Sequence, residues 1–388
     1  MVGGGYGGAT AATYLKRFDT AIDVTLVEPS TRFFTCPFSN TVIGGINDIA
    51  YIARDYQAMR TRGIDVIHER ADIVDGEKKK VTLSGGGTLE FDRCIVSPGI
   101  DFRWDAIEGL TPDTVSRMPH AWNAGSQTTL LRKQVEAMPD GGTFIISMPI
   151  GPSRCPPAAA ERISLVAHYL KAHKPKSKII ALDAKQKFSK KELFEAGWGE
   201  LYPGMIEYHN IDDDGTVHRI DTKTMTLYTD FEEYTGDVIN FVPPQKAGQV
   251  AVASGLTDKT GWCPVKYLTF ESALTPFVHV LGDASIANPM PKSGFAASAQ
   301  AKVCAAAIAA IFRGESPGTP KFVNACYSLL APNYGISLAS VFDYKDGAVV
   351  EAAGSGGLSP PDASSSFRKN EARYAEGWYR AISQDIWG

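Results

Sequence analysis

The chain has 388 residues, is 44% hydrophobic and 21% charged, and carries a net charge of −4. That length fits two or three domains with real cores, and the charge balance gives no general attraction to nucleic acid or to an anionic membrane. The longest uninterrupted apolar run, 303–312, is too short to span a bilayer. Six cysteines (Cys36, Cys94, Cys155, Cys263, Cys304 and Cys326) show neither CxxC nor CxxCH spacing, and the seven histidines are scattered. Zinc ribbons, an attached c-type haem and a metal centre are therefore not expected.

In chain order, "MVGGGYGGATAATYLKRF" predicts a strand end, a glycine turn and a helix, and 22–29 a second strand. Gly3, Gly5 and Gly8 have G-x-G-x-x-G spacing, and Glu28 follows Gly8 by 20 residues. Such glycines allow a tight turn and close approach to a pyrophosphate at a helix N-terminus, and an acid at that distance grips a ribose hydroxyl. The pattern predicts a bound dinucleotide. Only Met1 and Val2 precede the motif, which predicts that the chain begins inside a longer one, so the lack of an export signal carries no weight. A β-rich stretch then alternates to about residue 100 and closes on "VSPG", with Gly99 in a Pro-Gly turn.

A second α/β unit follows, with a strand at 141–149, a helix at 158–174 and a strand at 178–183. Its turn, "PIGPSRCPP", has no G-x-G-x-x-G and puts prolines where a pyrophosphate needs N–H donors. This predicts a dinucleotide-type fold that binds no dinucleotide, with Cys155 in the loop. Strands return at 237–244 and 277–285, the second ending on Gly282 and Asp283. A helix rich in small residues, opened by Lys292 and Gly294, runs over 292–312. The tail from about 317 reads as loops and one last helix in which Tyr374, Trp378 and Ile382 form an apolar stripe.

Taken together, "GGGYGGATAA", "TCPFSNTVIGG", "PHAWNAG", "SRCPP", "GWCPV", "GDASIANPMPKSGF" and "CYSLLAPNYGIS" resemble the flavoprotein subunit of flavocytochrome c sulfide dehydrogenase, over nearly the whole chain. Wider relatives are the disulfide reductases and the sulfide:quinone oxidoreductases. The resemblance implies an α/β fold with two Rossmann-like domains. An FAD-binding domain would comprise 1–112 and 241–316, and a second domain without an NAD site 113–240. An α+β interface domain would occupy 317–388. It implies FAD, with Asp283 on the ribityl chain.

On residues alone Cys36 reads as a small buried hydrophobe. The resemblance instead implies a thioether from Cys36 to the 8α carbon of the flavin, within the roughly 26–29 Å that eight extended residues reach from Glu28. Cys155 and Cys326 read on residues alone as a staple across about 170 residues, on the order of 5 kcal/mol in the chain-entropy model. The resemblance implies a redox-active disulfide beside the flavin, opened by HS⁻ to a persulfide and a thiolate. Arg154 is then a candidate to lower a thiolate pKa, against a solvent-facing arginine. Glu161 is a candidate proton handler, against an ordinary first-turn helix acid. Lys292 is expected near the flavin's pyrimidine side or in solvent. The resemblance further implies a separate c-type cytochrome as acceptor in a heterodimer, and the periplasm, which suits a disulfide. Rival readings are a sulfide:quinone oxidoreductase, an NAD(P)H-dependent disulfide reductase, and a flavin-bearing scaffold without catalysis.

Overall fold

The computed structural model describes residues 1–388. Two parallel layers organise the first two-thirds of the chain. In the first, Ile64–Ile67 pairs with Val24–Val27, Val2 bridges Val27 and Val96, and Cys94–Val96 pairs with Val278–Val280. The glycine turn leads from Val2 into the helix Tyr6–Phe18. The second layer runs Ile206–His209, Lys178–Asp183, Thr143–Met148 and Val238–Phe241, all parallel. Its central strands are continuous apolar runs because helices and loops cover both faces, and 144–148 are all buried. The helix Ala158–His173 buries Ala159, Ala160, Ile163, Val166, Ala167 and Leu170 against this layer.

Between the first-layer strands Ile64–Ile67 and Cys94–Val96 in the chain, Ala71–Asp75, Lys80–Leu83 and Thr88–Glu90 form the expected antiparallel meander, and the lysines 78–80 sit at its first turn. The helix Gly294–Phe312 is long and apolar enough to cross a membrane, more so than the ten-residue run read from the sequence. Most of it is buried, packed on the helix Tyr6–Phe18 and on the strand Lys321–Ala331. It is a core helix of small residues, which let neighbouring backbones approach closely.

The tail corrects the expectation of loops. Lys321–Ala331 and Tyr334–Lys345 form a long antiparallel hairpin, extended by Ala348–Glu351. The helix Ser365–Trp387 lies across it. Glu371 docks that helix, its Oε1 accepting from Ser337 Oγ and Ser359 Oγ, each at 2.6 Å.

Candidate active site

Three segments, far apart in sequence, bring Cys36, Cys155 and Cys326 to the wall of one cavity, which Arg154, Glu161 and Gly294 also line. Cys36 lies in a turn before the short helix Ser39–Ile43, its Sγ 3.5 Å from the carbonyl oxygen of Trp122. Cys155 lies in the proline-rich turn with φ 52°, in the left-handed region. Its N–H donates to the carbonyl of Lys292 at 2.7 Å, and its own carbonyl accepts from Ala158 N–H at 2.9 Å. Cys326 sits mid-strand, opposite Leu338.

Glu161 ties the three segments together. Its Oε1 accepts from the N–H of Leu329, on the Cys326 strand, at 2.9 Å. Its Oε2 accepts from Asn40 Nδ2, four residues beyond Cys36, at 2.8 Å. It stands itself in the first turn of the helix that follows Cys155. Burial raises its pKa above the usual carboxylate range, opposed by these two hydrogen bonds and by the cations Lys190 and Arg162. A carboxyl so placed can hold a proton nearer neutrality than a surface acid. Glu161 is thus a buried, doubly bonded carboxyl as well as a first-turn helix acid.

Beneath it Arg162 is fully buried. It donates from Nε to Asn40 Oδ1 at 3.0 Å, from Nη1 to the His120 carbonyl at 2.9 Å and to Asn240 Oδ1 at 2.7 Å, and from Nη2 to the Ala121 carbonyl at 2.6 Å. Burial brings its pKa down to about 9, resisted by Cys36, Glu161 and Cys155.

Arg154 is not solvent-facing. It donates to the carbonyl of Trp122 and, at 2.8 Å, to Asn123 Oδ1, and its Nε lies 4.0 Å from Asp283 Oδ2. Its charge answers Asp283 rather than a thiolate. At Cys155 burial, Cys326, Glu161 and Cys36 push the thiol up, with Lys190 opposing them.

Lys292 is likewise turned inward. Its Nζ turns away from cavity and solvent to the carbonyls of Asp283 and Ser285, at 2.7 and 2.8 Å, over the ring of Trp262 at 3.8 Å. Burial lowers it to about 8. Cys155 and Cys326 are free thiols, so the expected bond is not formed in the structure although both line the cavity. Trp378 lines it as well, stacked on Phe295 with ring centres 6.0 Å apart. Cys94, Cys263 and Cys304 are buried thiols outside it.

Gly3, Gly5 and Gly8, in the first glycine turn, and Glu28, at the end of the strand Val24–Val27, lie off the cavity. A Cβ on Gly8 would meet the Gly3 carbonyl oxygen at 1.9 Å, so only glycine permits this crossing. Glu28 Oε2 accepts from Gly4 N–H at 2.8 Å, which aims the acid along the turn. In the second layer Asp183 occupies the matching strand end, but Lys185 Nζ and Tyr208 OH hold its carboxylate at 2.5 and 2.9 Å. That acid is committed inside the protein, in keeping with the proline turn.

Asn40, Trp122, Arg162 and Lys190 were not read from the sequence. Asn40 lies within the quoted "TCPFSN" and Arg162 beside Glu161, so adjacency to candidates was the only signal for either. Lys190 is one of four lysines in 185–191 and carried none.

His120 holds the 120–122 loop as a neutral acceptor, taking the N–H of Trp122 on Nδ1 at 2.9 Å. Burial, with Arg162 and Arg154 nearby, lowers its pKa to about 3. Between that value and the unfolded value near 6.5 the unfolded chain binds a proton that the folded one does not. Stability is therefore intact above pH about 6.5 and falls toward pH about 3, by roughly 2 kcal/mol at pH about 5. Urea midpoints at the two pH values check this: H120N should remove that part of the acid loss, and an unchanged loss would show that His120 is not its source.

Three family models match the chain. The central region of the sulfide dehydrogenase (flavocytochrome c) flavoprotein chain matches 128–243, and the flavin-binding region of flavocytochrome c sulphide dehydrogenase matches 318–387. Pyridine nucleotide-disulphide oxidoreductase matches 1–129. A sulfide dehydrogenase (flavocytochrome c) flavoprotein chain from Chlorobaculum thiosulfatiphilum is 64% identical over 42 residues, 11% of this chain and 88% of that relative. The chain belongs to the flavocytochrome c sulfide dehydrogenase flavoprotein family. The mitochondrial sulfide:quinone oxidoreductase of Mus musculus is 23% identical over 360 residues, 89% of this chain and 77% of the relative. The solved sulfide:quinone oxidoreductase of Aquifex aeolicus shares the fold, with a TM-score of 0.74 at 16% identity over 99% of this chain and 91% of that one.

As a member of this flavoprotein family the chain is a sulfide-oxidising oxidoreductase with an FAD-binding domain. Its residues fit the cofactor. Asp283 Oδ1 is buried with no hydrogen-bond partner, a vacancy in bonding that a ribityl hydroxyl would fill. The first-helix N-terminus carries no side-chain cap, which leaves its N–H groups for a pyrophosphate. Gly99 and Gly282 both have positive φ; a Cβ on Gly99 would lie 4.0 Å from Arg154 Nη1, and one on Gly282 would lie 3.3 Å from Ser97 Oγ.

Proposed function

We propose that the chain oxidises sulfide at a Cys155–Cys326 pair. FAD tethered through Cys36 would receive the electrons and a c-type cytochrome subunit would accept them in the periplasm. The observation that carries this reading is the single carboxylate of Glu161 bonded to the segments of Cys36 and Cys326 from the helix of Cys155. In the oxidised pair, HS⁻ attacks one sulfur. The bond between the cysteines breaks, a new sulfur–sulfur bond forms as a persulfide, and the other cysteine leaves as a thiolate, so one anion enters and one remains. Glu161, raised by burial, is placed to exchange the proton of the incoming or departing sulfur species. Asp283, held by Arg154, and the glycines of the first turn would bind FAD, which supplies a two-electron acceptor when bound. Trp122, Phe295 and Trp378 wall the cavity with apolar surface and limit water around the thiolate.

A second reading, a quinone as acceptor, is favoured by the full-length relatives, which are sulfide:quinone oxidoreductases. Sulfide-dependent reduction of cytochrome c compared with decylubiquinone separates the two. Faster reduction of cytochrome c is expected, and efficient turnover with the quinone alone would overturn the cytochrome assignment. The mass of the denatured chain should include FAD, and Cys36→Ala should yield the bare chain. A bare wild-type mass would remove the tether.

A further inference from the structure

Lys190 is outside the cavity wall, yet it reaches one of the cysteines directly. It precedes the helix Lys191–Leu201 with φ 66° and ψ 24°, a left-handed conformation unfavourable for a residue with a Cβ. The residue is 6% exposed. Its Nζ lies 2.8 Å from the Cys326 carbonyl oxygen, 2.8 Å from Ser328 Oγ and 3.5 Å from Cys326 Sγ. An ammonium has three protons, and these three acceptors use them all. Neighbouring Lys185 and Lys191 pair with Asp183 and Glu195 at 2.5 and 2.7 Å. Lys190 forms no ion pair, and every group it touches is neutral while Cys326 is a thiol.

A buried ammonium with no counter-ion is costly. Two anionic groups could supply one. Glu161 faces the same region, but its two oxygens are bonded to Asn40 and Leu329, not to Lys190. Cys326 Sγ is already within hydrogen-bond distance of Nζ. The other charged or titratable groups facing the cysteines are Cys155, Cys36, Arg154 and Arg162. Arg154 is turned to Asp283 and Trp122, and Arg162 commits four of its five N–H groups to Asn40, Asn240 and the 120–121 carbonyls.

We propose that Lys190 is the positioning residue that holds the negative charge of the reduced cysteine pair on Cys326 Sγ. The left-handed backbone at the helix start aims the ammonium, and the bonds to Ser328 and to the Cys326 carbonyl keep it there in both redox states. Cys155, buried and facing Glu161, stays a thiol. When HS⁻ opens the oxidised pair, Cys326 is then the sulfur that leaves as the thiolate and Cys155 the one that takes the persulfide. The inference rests on the reading of Cys155 and Cys326 as the redox pair.

The test is alkylation of the reduced holoprotein by iodoacetamide across about pH 5 to 9, with the modified cysteine identified by peptide mass. The midpoint of the pH dependence is read at each site, which separates thiolate formation from access. Cys326 should titrate below Cys155. Lys190→Met should raise the Cys326 midpoint by about one unit, roughly a tenfold slower reaction near neutrality, and Lys190→Arg should restore most of the difference. A wild-type midpoint at Cys326 equal to or above that of Cys155 overturns the proposal, and this needs no variant to fold. So does an unchanged Cys326 midpoint in Lys190→Met with its FAD retained. Failure of the underlying reading looks different: sulfide turnover would then survive Cys155→Ser, whatever Lys190→Met does.

Discussion

Cys155→Ser should lower sulfide-dependent turnover by about 10³-fold or more while the protein keeps its FAD. An alcohol cannot take part in sulfur–sulfur exchange, so neither the disulfide nor the persulfide can form at that position. The backbone contacts of Cys155 to Lys292 and Ala158 do not involve its side chain, so the loop should hold its shape. Steady-state reduction of an electron acceptor by sulfide, with FAD content from absorbance, measures both. Retained turnover would mean that the chain is the flavin-bearing scaffold of the rival reading and that sulfide is oxidised elsewhere.

Arg162→Met should destabilise the fold by about 3–5 kcal/mol, the largest stability effect expected of any single change at the site. The guanidinium satisfies Asn40, Asn240 and two loop carbonyls, none of which water can reach. Methionine fills similar volume but leaves the Asn40 and Asn240 amide oxygens and the Ala121 carbonyl unpaired, while the His120 carbonyl keeps Asn240 Nδ2 at 2.9 Å, and it removes the cation that lies near Glu161. Lysine should not rescue, since one ammonium cannot span acceptors arranged around a planar fork. Urea or thermal unfolding measures this, and a loss below about 1 kcal/mol would show that the acceptors find other partners.

Much of the fold was legible. Runs such as "KIIALD" have no alternation because both faces are covered, and 178–183 is the strand observed. The glycine spacing located the first turn. The long hairpin was not legible. "KFVNACYSLLA" alternates at its start and then has three half-buried residues, 325–327, where one face lines the cavity. Those residues answer to the site and blur the strand's period. The same divide holds for chemistry. Cys36, Cys155, Cys326 and Glu161 lie in quotable strings and converge as expected. Lys190 meets Cys326 across 136 positions, and Arg162 meets Asn40 across 122, so no local pattern announces either. Lys292 and Arg154 were placed along the chain, but their directions are set by partners no local pattern announces: the Asp283 and Ser285 carbonyls for Lys292, and the Trp122 carbonyl, Asn123 and Asp283 for Arg154.

The left-handed backbone at Cys155 bears on how this loop is kept in the protein. Glycine would adopt that conformation without the roughly 1–2 kcal/mol that a Cβ costs there, and it would preserve both main-chain contacts. By the criterion of folding alone the position favours a residue with no side chain. If Cys155 is one of the redox pair, the thiol there is a place where reactivity overrides ease of folding, and where screening for thermal robustness would tend to select the sulfur away.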